Sequence, residues 1–215
     1  MFSKHFLLGL SAVGAAILTA GTAKAVTLDQ LAAGQQIVVG NVVYSNFTYG
    51  GTTPVSDVLV TSSSAGLEFT TLTGGWATPT GSSVISYDIN ITGDTFSAVG
   101  LGFTATASGG AVASVGETVT DTTNNKDYSL QVNVGAVGNT DTSSDSVTLN
   151  PTTASLHVIK SIDVASAGTG AASISLVDNT FVPTLGSQPG VPEPMSLALL
   201  PLGLAALAIR KKLAR

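Results

Sequence analysis

Three groups of residues in this chain have the types and spacing that chemistry uses. The first surrounds His157, the one histidine beyond residue 25, in Leu156-His157-Val158-Ile159-Lys160-Ser161-Ile162-Asp163-Val164. Serine, histidine and aspartate make an activated nucleophile when the serine and the aspartate reach opposite edges of the imidazole. On an extended strand, Ser161 and Asp163 share the parity of His157 but stand about 13 and about 20 Å from it at ~3.3 Å per residue. These three form no triad by themselves, and His157 reads as an exposed strand histidine on the face opposite Leu156 and Val158. Two acids brought together by a fold could still hydrolyse a glycoside. Such sites lie in aromatic-lined clefts, and the chain has a single tryptophan, Trp76. The chain reads as no enzyme.

The second group is Asn139, Asp141, Ser143 and Asp145, which sets an oxygen side chain at every second position. Hard cations need several such oxygens converging, so this loop is the candidate calcium site. Asp121, Thr123, Asn125 and Asp127 repeat the spacing, and neither stretch carries the glycine and the closing glutamate of an EF-hand loop. The competing reading is a pair of solvated acidic turns, with no cofactor. The third group is aromatic: Trp76 follows Gly74-Gly75, and Tyr44, Phe47 and Tyr49 precede Gly50-Gly51. Aromatic faces pack on sugar rings, so Trp76, Tyr44 and Tyr49 are the candidate carbohydrate platform. The alternative places the one tryptophan in the core. Asn46-Phe47-Thr48 and Asn90-Ile91-Thr92 match the glycosylation sequon.

The elements that must position these groups are strands. Gly, Ser, Thr, Ala and Val dominate between the two ends, and runs of β-branched and aromatic residues recur between turn-forming residues. Strands are expected near 36–44, 56–62, 66–72, 83–91, 95–107, 112–121, 127–134, 146–149, 154–164 and 172–176. Ile85, Tyr87, Ile89 and Ile91 alternate with Ser86, Asp88 and Asn90, and Tyr128, Leu130, Val132 and Val134 with Ser129, Gln131 and Asn133; this is half-buried antiparallel sheet. Asn124-Asn125 is a tight-turn pair that makes 112–134 a hairpin. A short helix is expected at 27–33 with Thr27 as its cap. The fold class is all-β: a single antiparallel β-sandwich, jelly-roll or Ig-like, of about seven to ten strands.

Charge and cysteine content narrow the function. Over residues 26–190 two lysines face twelve acids, a formal charge of −10, and there is no arginine. A surface that tracks phosphate needs clustered Lys and Arg, so nucleic acid and anionic lipid headgroups are excluded as partners of this part. With no cysteine, neither disulfides nor thiolate metal sites hold the fold.

Both ends read as addresses. Lys4 and His5 precede an apolar run at 7–22, and Ala23-Lys24-Ala25 closes it with small residues at −3 and −1. This is the pattern of a secretory signal peptide over residues 1–25, cut by signal peptidase between Ala25 and Val26. An ectodomain follows over 26–186 and a tail over 187–215. The tail carries Val191-Pro192-Glu193-Pro194, an apolar stretch at 195–209 and the basic end Arg210, Lys211, Lys212 and Arg215. The apolar stretch is short against the ~20 residues of a full span. It is expected as a C-terminal transmembrane helix that holds the chain in the membrane with its basic end in the cytoplasm, either for a time or, on the competing reading, as a plain anchor that is never cut.

This three-part tail resembles the PEP-CTERM sorting signal of Gram-negative bacteria, over residues 191–215. The resemblance implies recognition of Pro192, Glu193 and Pro194 by an exosortase, cleavage near that motif, and delivery to the cell surface or extracellular matrix of an exopolysaccharide producer. The protein is then expected to be structural, with a carbohydrate-binding module that holds exopolysaccharide as the alternative. The segments at 27–49 and 156–181 also resemble an ectodomain type attached to such tails, which carries no activity with it.

Overall fold

The computed structural model describes residues 17–19, 25–73, 75–77, 80–135, 141–166 and 169–184. The signal-peptide assignment, apart from 17–19 and Ala25, and the whole sorting tail lie outside them. Short elements open the chain: β1 (Ile17–Thr19), β2 (Ala25–Thr27), α1 (Leu28–Ala32), β3 (Gln36–Val39) and β4 (Val42–Gly51). A 3-10 turn, Val55–Asp57, leads into β5 (Val58–Ser62), β6 (Gly66–Thr71), β7 (Trp76–Ala77) and β8 (Thr80–Ile91). Long strands complete it: β9 (Thr95–Ser108), β10 (Val112–Asp121), β11 (Lys126–Val134), β12 (Ser144–Thr153), β13 (Ser155–Ala165) and β14 (Ala171–Thr184).

These strands form two sheets. One runs β1-β3-β4-β8-β13-β10-β11, the other β12-β9-β14-β6-β5-β2 with β7 paired to β14. Apart from the three-residue β1, which pairs parallel with β3, every pair is antiparallel, so the chain is a nearly all-β sandwich of two antiparallel sheets. Alternation decides which faces meet. In β10 alternate residues from Ala113 to Asp121 are buried, and in β13 Leu156, Val158, Lys160, Ile162 and Val164 point inward. Burying each apolar side chain of this size contributes about 1.5–3 kcal/mol, and the inner faces form one continuous core.

The expected hairpin at 112–134 is present, with Asn125 at φ 52° in its turn. Three local expectations change. Residues 36–44 are two strands, because Gly40 at φ 60° turns the chain and pairs Val39 with Val42. Thr27 stands at the N-cap of α1 but its hydroxyl makes no capping bond. The strands expected at 146–149 and 172–176 run on to Thr153 and Thr184, with Pro151 and Pro183 accommodated where the register shifts. Among the described residues no helix is long and apolar enough to cross a membrane.

Candidate functional site

The aromatic group turns inward. Trp76 is fully buried and its Nε1 donates to Ser83 Oγ at 3.1 Å. The same hydroxyl lies 2.9 Å from Tyr49 Oη, which donates to Thr53 O at 2.6 Å. Trp76 and Tyr49 are therefore brought together, but through a serine under the sheet and not on a stacking surface. Gly75 makes the close approach possible: it sits at φ 82°, and a Cβ there would lie 2.4 Å from Ile174 O. Tyr44 is buried elsewhere, its ring 6.1 Å from that of Phe181, and burial pushes its phenol above the ordinary value. Because Trp76 is the only tryptophan, its fluorescence reports this directly. We expect native emission to be shielded from iodide quenching and to become accessible only on unfolding.

The candidate calcium loop serves the seam between the sheets. β11 and β12 are edge strands of different sheets, and an isolated backbone bridge between Asn133 and Thr142 ties β11 to the segment that leads into β12. Edge N–H groups need partners, and the acids supply them. Asp145 Oδ2 accepts from Gln131 N at 2.9 Å, and Asp141 Oδ1 from Gly135 N at 2.9 Å. Ser143 contributes its carbonyl to Phe103 N at 3.0 Å, and Asn139 lies outside the described residues. No group of three or more His, Cys, Asp or Glu able to hold a metal occurs among the described residues.

His157 is half-buried, and its Nδ1 lies 2.6 Å from Asp88 Oδ1 on the neighbouring strand, while Ser161 donates to Asp163 at 3.0 Å. No nucleophile completes the His157–Asp88 pair in these contacts. Asp121 closes the β10–β11 hairpin. It is buried and accepts from Thr123 N at 2.9 Å, Asn124 N at 3.0 Å, Asn124 Nδ2 at 2.6 Å and Thr153 Oγ1 at 2.7 Å. Burial pushes its carboxyl up, but the hydrogen bonds from Asn124, Thr153 and the turn N–H groups outweigh it and hold it below the ordinary value. A depressed carboxyl stabilises the fold above its unfolded value and loses that contribution as pH falls through the folded one. Asp121→Asn is expected to cost about 2 kcal/mol at neutral pH, the scale of hydrogen bonds to a charged group. The gap should narrow as pH drops below ~4, where the unfolded carboxyl takes up its proton first, and close once the folded one, held lower, is protonated too. Melting curves from pH 6 to 2 check both.

The densest chemistry is a cluster missed in the sequence. Glu117 on β10 lies in register with Lys160 on β13, both fully inside the core, and the Lys160 ammonium donates to Glu117 Oε2. From the other sheet, Asn179 Nδ2 donates to Glu117 Oε1 at 2.8 Å and Oε2 at 2.9 Å. Tyr87 Oη donates to Asn179 Oδ1 at 2.6 Å. Burial pulls the Lys160 ammonium below its ordinary value, opposed by the charges of Glu117 and Asp178, and holds the Tyr87 phenol well above its own. A parity signal was there to be read: Glu117 shares its face with Val115 and Val119, Lys160 with Val158 and Ile162, Asn179 with Val177 and Phe181.

Outside the core, an open groove of about 530 Å³ crosses the outer face of the first sheet at Gly116, bordered by Thr118, Ser129, Gln131, Ser161 and Asp145. A Cβ at Gly116 would meet nothing within 4 Å.

No protein-family model and no curated protein matches the chain. Solved structures similar to it include TmCBM61 in complex with beta-1,4-galactotriose, at 12% identity and TM-score 0.37, over 64% of this chain and 89% of that one. The enzymatically active domain of bacteriophage CBA120 tailspike protein 4 aligns at 17% identity and TM-score 0.29, over 66% of this chain and 20% of its own length. Xylanase10C from Cellvibrio japonicus in complex with xylopentaose aligns at 17% identity and TM-score 0.27, over 63% and 27%. At these scores no ligand passes from those proteins to this chain.

Proposed function

We propose that the chain is an exported β-sandwich of the cell surface or extracellular matrix, structural in role and delivered by its tail. The observation that carries this reading is the order of Val191-Pro192-Glu193-Pro194, the apolar 195–209 and the basic Arg210-Lys211-Lys212. The fold is consistent with a structural role, since the seam acids and the aromatic residues are occupied in holding strands together. Mass spectrometry of the surface and medium fractions tests it. The mature protein should begin at Val26 and end near Pro194. Peptides from Leu207 to Arg215 in the mature form would overturn exosortase processing and leave an ordinary anchor.

A second reading, a module that holds exopolysaccharide, now rests on the groove at Gly116 rather than on Trp76. Its hydroxyls, the Gln131 amide and the Asp145 carboxylate are donors and acceptors of the kind that orient sugar hydroxyls. Titration with the host's own polysaccharide separates the readings. Binding that Gln131→Ala abolishes favours the module, and no binding favours the structural role.

A further inference from the structure

We propose that Lys160 and Asn179 become joined by an amide bond inside the folded sandwich, formed by the protein on itself with Glu117 as its acid–base catalyst. Four side chains from three strands of one sheet and one of the other meet in the core with the roles this reaction needs. Lys160 is an amine removed from water, and Asn179 is a carboxamide held against the same carboxylate. Glu117 Oε2 touches both nitrogens, accepting from Lys160 Nζ and lying 2.9 Å from Asn179 Nδ2. Tyr87 Oη is 2.6 Å from Asn179 Oδ1, where negative charge develops when the carbonyl is attacked. The ring of Phe69 lies beside the amine, its centroid 5.9 Å from Nζ.

The chemistry balances without any other reagent. The Lys160 ammonium gives a proton to Glu117, and the freed electron pair on Nζ forms a bond to Cγ of Asn179. The carbonyl pair moves onto Oδ1, which accepts a hydrogen bond from Tyr87. Glu117 passes its proton to Nδ2 and takes one from Nζ. The carbonyl re-forms, the Cγ–Nδ2 bond breaks, and ammonia leaves with the proton that Glu117 then returns to it. An ammonium and a carboxamide have become a secondary amide and an ammonium ion. Nothing is oxidised or reduced.

Three features favour this step over an inert ion pair. Desolvation activates a lysine nucleophile by weakening its hold on the proton. Holding amine and amide against one carboxylate removes much of the entropy of bringing them together. The Tyr87 phenol, kept protonated by burial and by Glu117, remains a donor to the oxyanion. The product would tie β13 of one sheet to β14 of the other, which a chain without cysteine achieves by no disulfide.

The test is mass spectrometry of the full exported chain, denatured and digested with trypsin. Lys126 and Lys160 are the only basic cleavage residues between Ala25 and Gly190. We expect no cut after Lys160 and a peptide that runs through it, lighter than its sequence by about 17 Da, one ammonia, the leaving group of attack by a lysine amine. Glu117→Gln should restore the full mass and the cut at Lys160. A wild-type chain at its full sequence mass, cleaved after Lys160, overturns the proposal whatever the variant does. So does a Glu117→Gln protein that keeps the cross-link, or an ammonia loss that leaves the Lys160 cut intact.

Discussion

Lys160→Met is expected to destabilise the sandwich far more than Lys160→Met combined with Glu117→Met. Both residues are fully buried, and the Lys160 ammonium is the cation facing the Glu117 carboxylate. Removing one member of a buried pair leaves an uncompensated charge in the core, at a cost of about 3–5 kcal/mol. Met keeps a similar volume beside the Phe69 ring, over which the Lys160 ammonium sits, so the loss is chiefly electrostatic and not a cavity. The double replacement removes both charges, leaving Asn179 to the Tyr87 hydroxyl and the Gly100 carbonyl, 3.2 Å from its Nδ2. Paired charges exchanged for well-packed apolar groups are often neutral or stabilising, so the double variant should recover most of the deficit. This comparison does not depend on the Lys160–Asn179 amide, because neither variant can form it. The wild type adds whatever the bond contributes. By the loop-entropy account of cross-links, tying positions 19 residues apart (179 minus 160) contributes about 3 kcal/mol. Denaturant unfolding of the three proteins gives the numbers. Single and double variants within about 0.5 kcal/mol of each other would show that the pair carries no electrostatic load.

Much of this fold was legible because strand alternation is local. The run from Val112 to Val134 shows both its strands and its turn, since Asn124-Asn125 marks the point where alternation must reverse. Where local signals were overlooked, strands merged: Gly40-Asn41 is itself a turn, and reading through it joined β3 to β4. The site was less legible for a different reason. Glu117, Lys160 and Asn179 each announce themselves as polar residues on an apolar face, but their meeting depends on strand order. β10 and β13 are neighbours across 43 residues, and β14 lies in the opposite sheet. Nothing in the spacing of the chain encodes that juxtaposition. The seam acids show a different ambiguity. Alternate oxygens at Asp141, Ser143 and Asp145 suggested a cation, yet the structure sets the carboxylates against the N–H groups of Gly135 and Gln131. A carboxylate satisfying an edge strand and one awaiting calcium have the same spacing in sequence.

Replacing Pro192-Glu193-Pro194 with three alanines is expected to convert the exported protein almost entirely into a longer, membrane-held form, without blocking its passage across the inner membrane. On the proposed sorting role, the three parts of the tail would act by separate physics. The apolar 195–209 is shorter than the ~20 residues that span a bilayer comfortably, so it suits a temporary stop. Arg210, Lys211 and Lys212 would then keep that stop from being pulled through, because basic residues tend to stay on the cytoplasmic side. Glu193 sits between two prolines, which deny the motif a helical N–H and bias each preceding residue toward extended backbone. An exosortase at the membrane face would then meet an acidic motif kept out of the helix. Three alanines remove the charge and let the helix propagate back through the motif, which hides the cleavage point while leaving the leader and the basic stop unchanged. The sandwich itself, complete at Thr184 seven residues before Val191, should fold as before. Fractionation with mass spectrometry of the C-terminus decides the matter. Trapping should appear as retention of residues 195–215 in the membrane fraction, with the solubilised variant still β-rich by far-UV circular dichroism. A variant that reaches the surface trimmed at the same position as the wild type would show that Pro192-Glu193-Pro194 is not the recognition element.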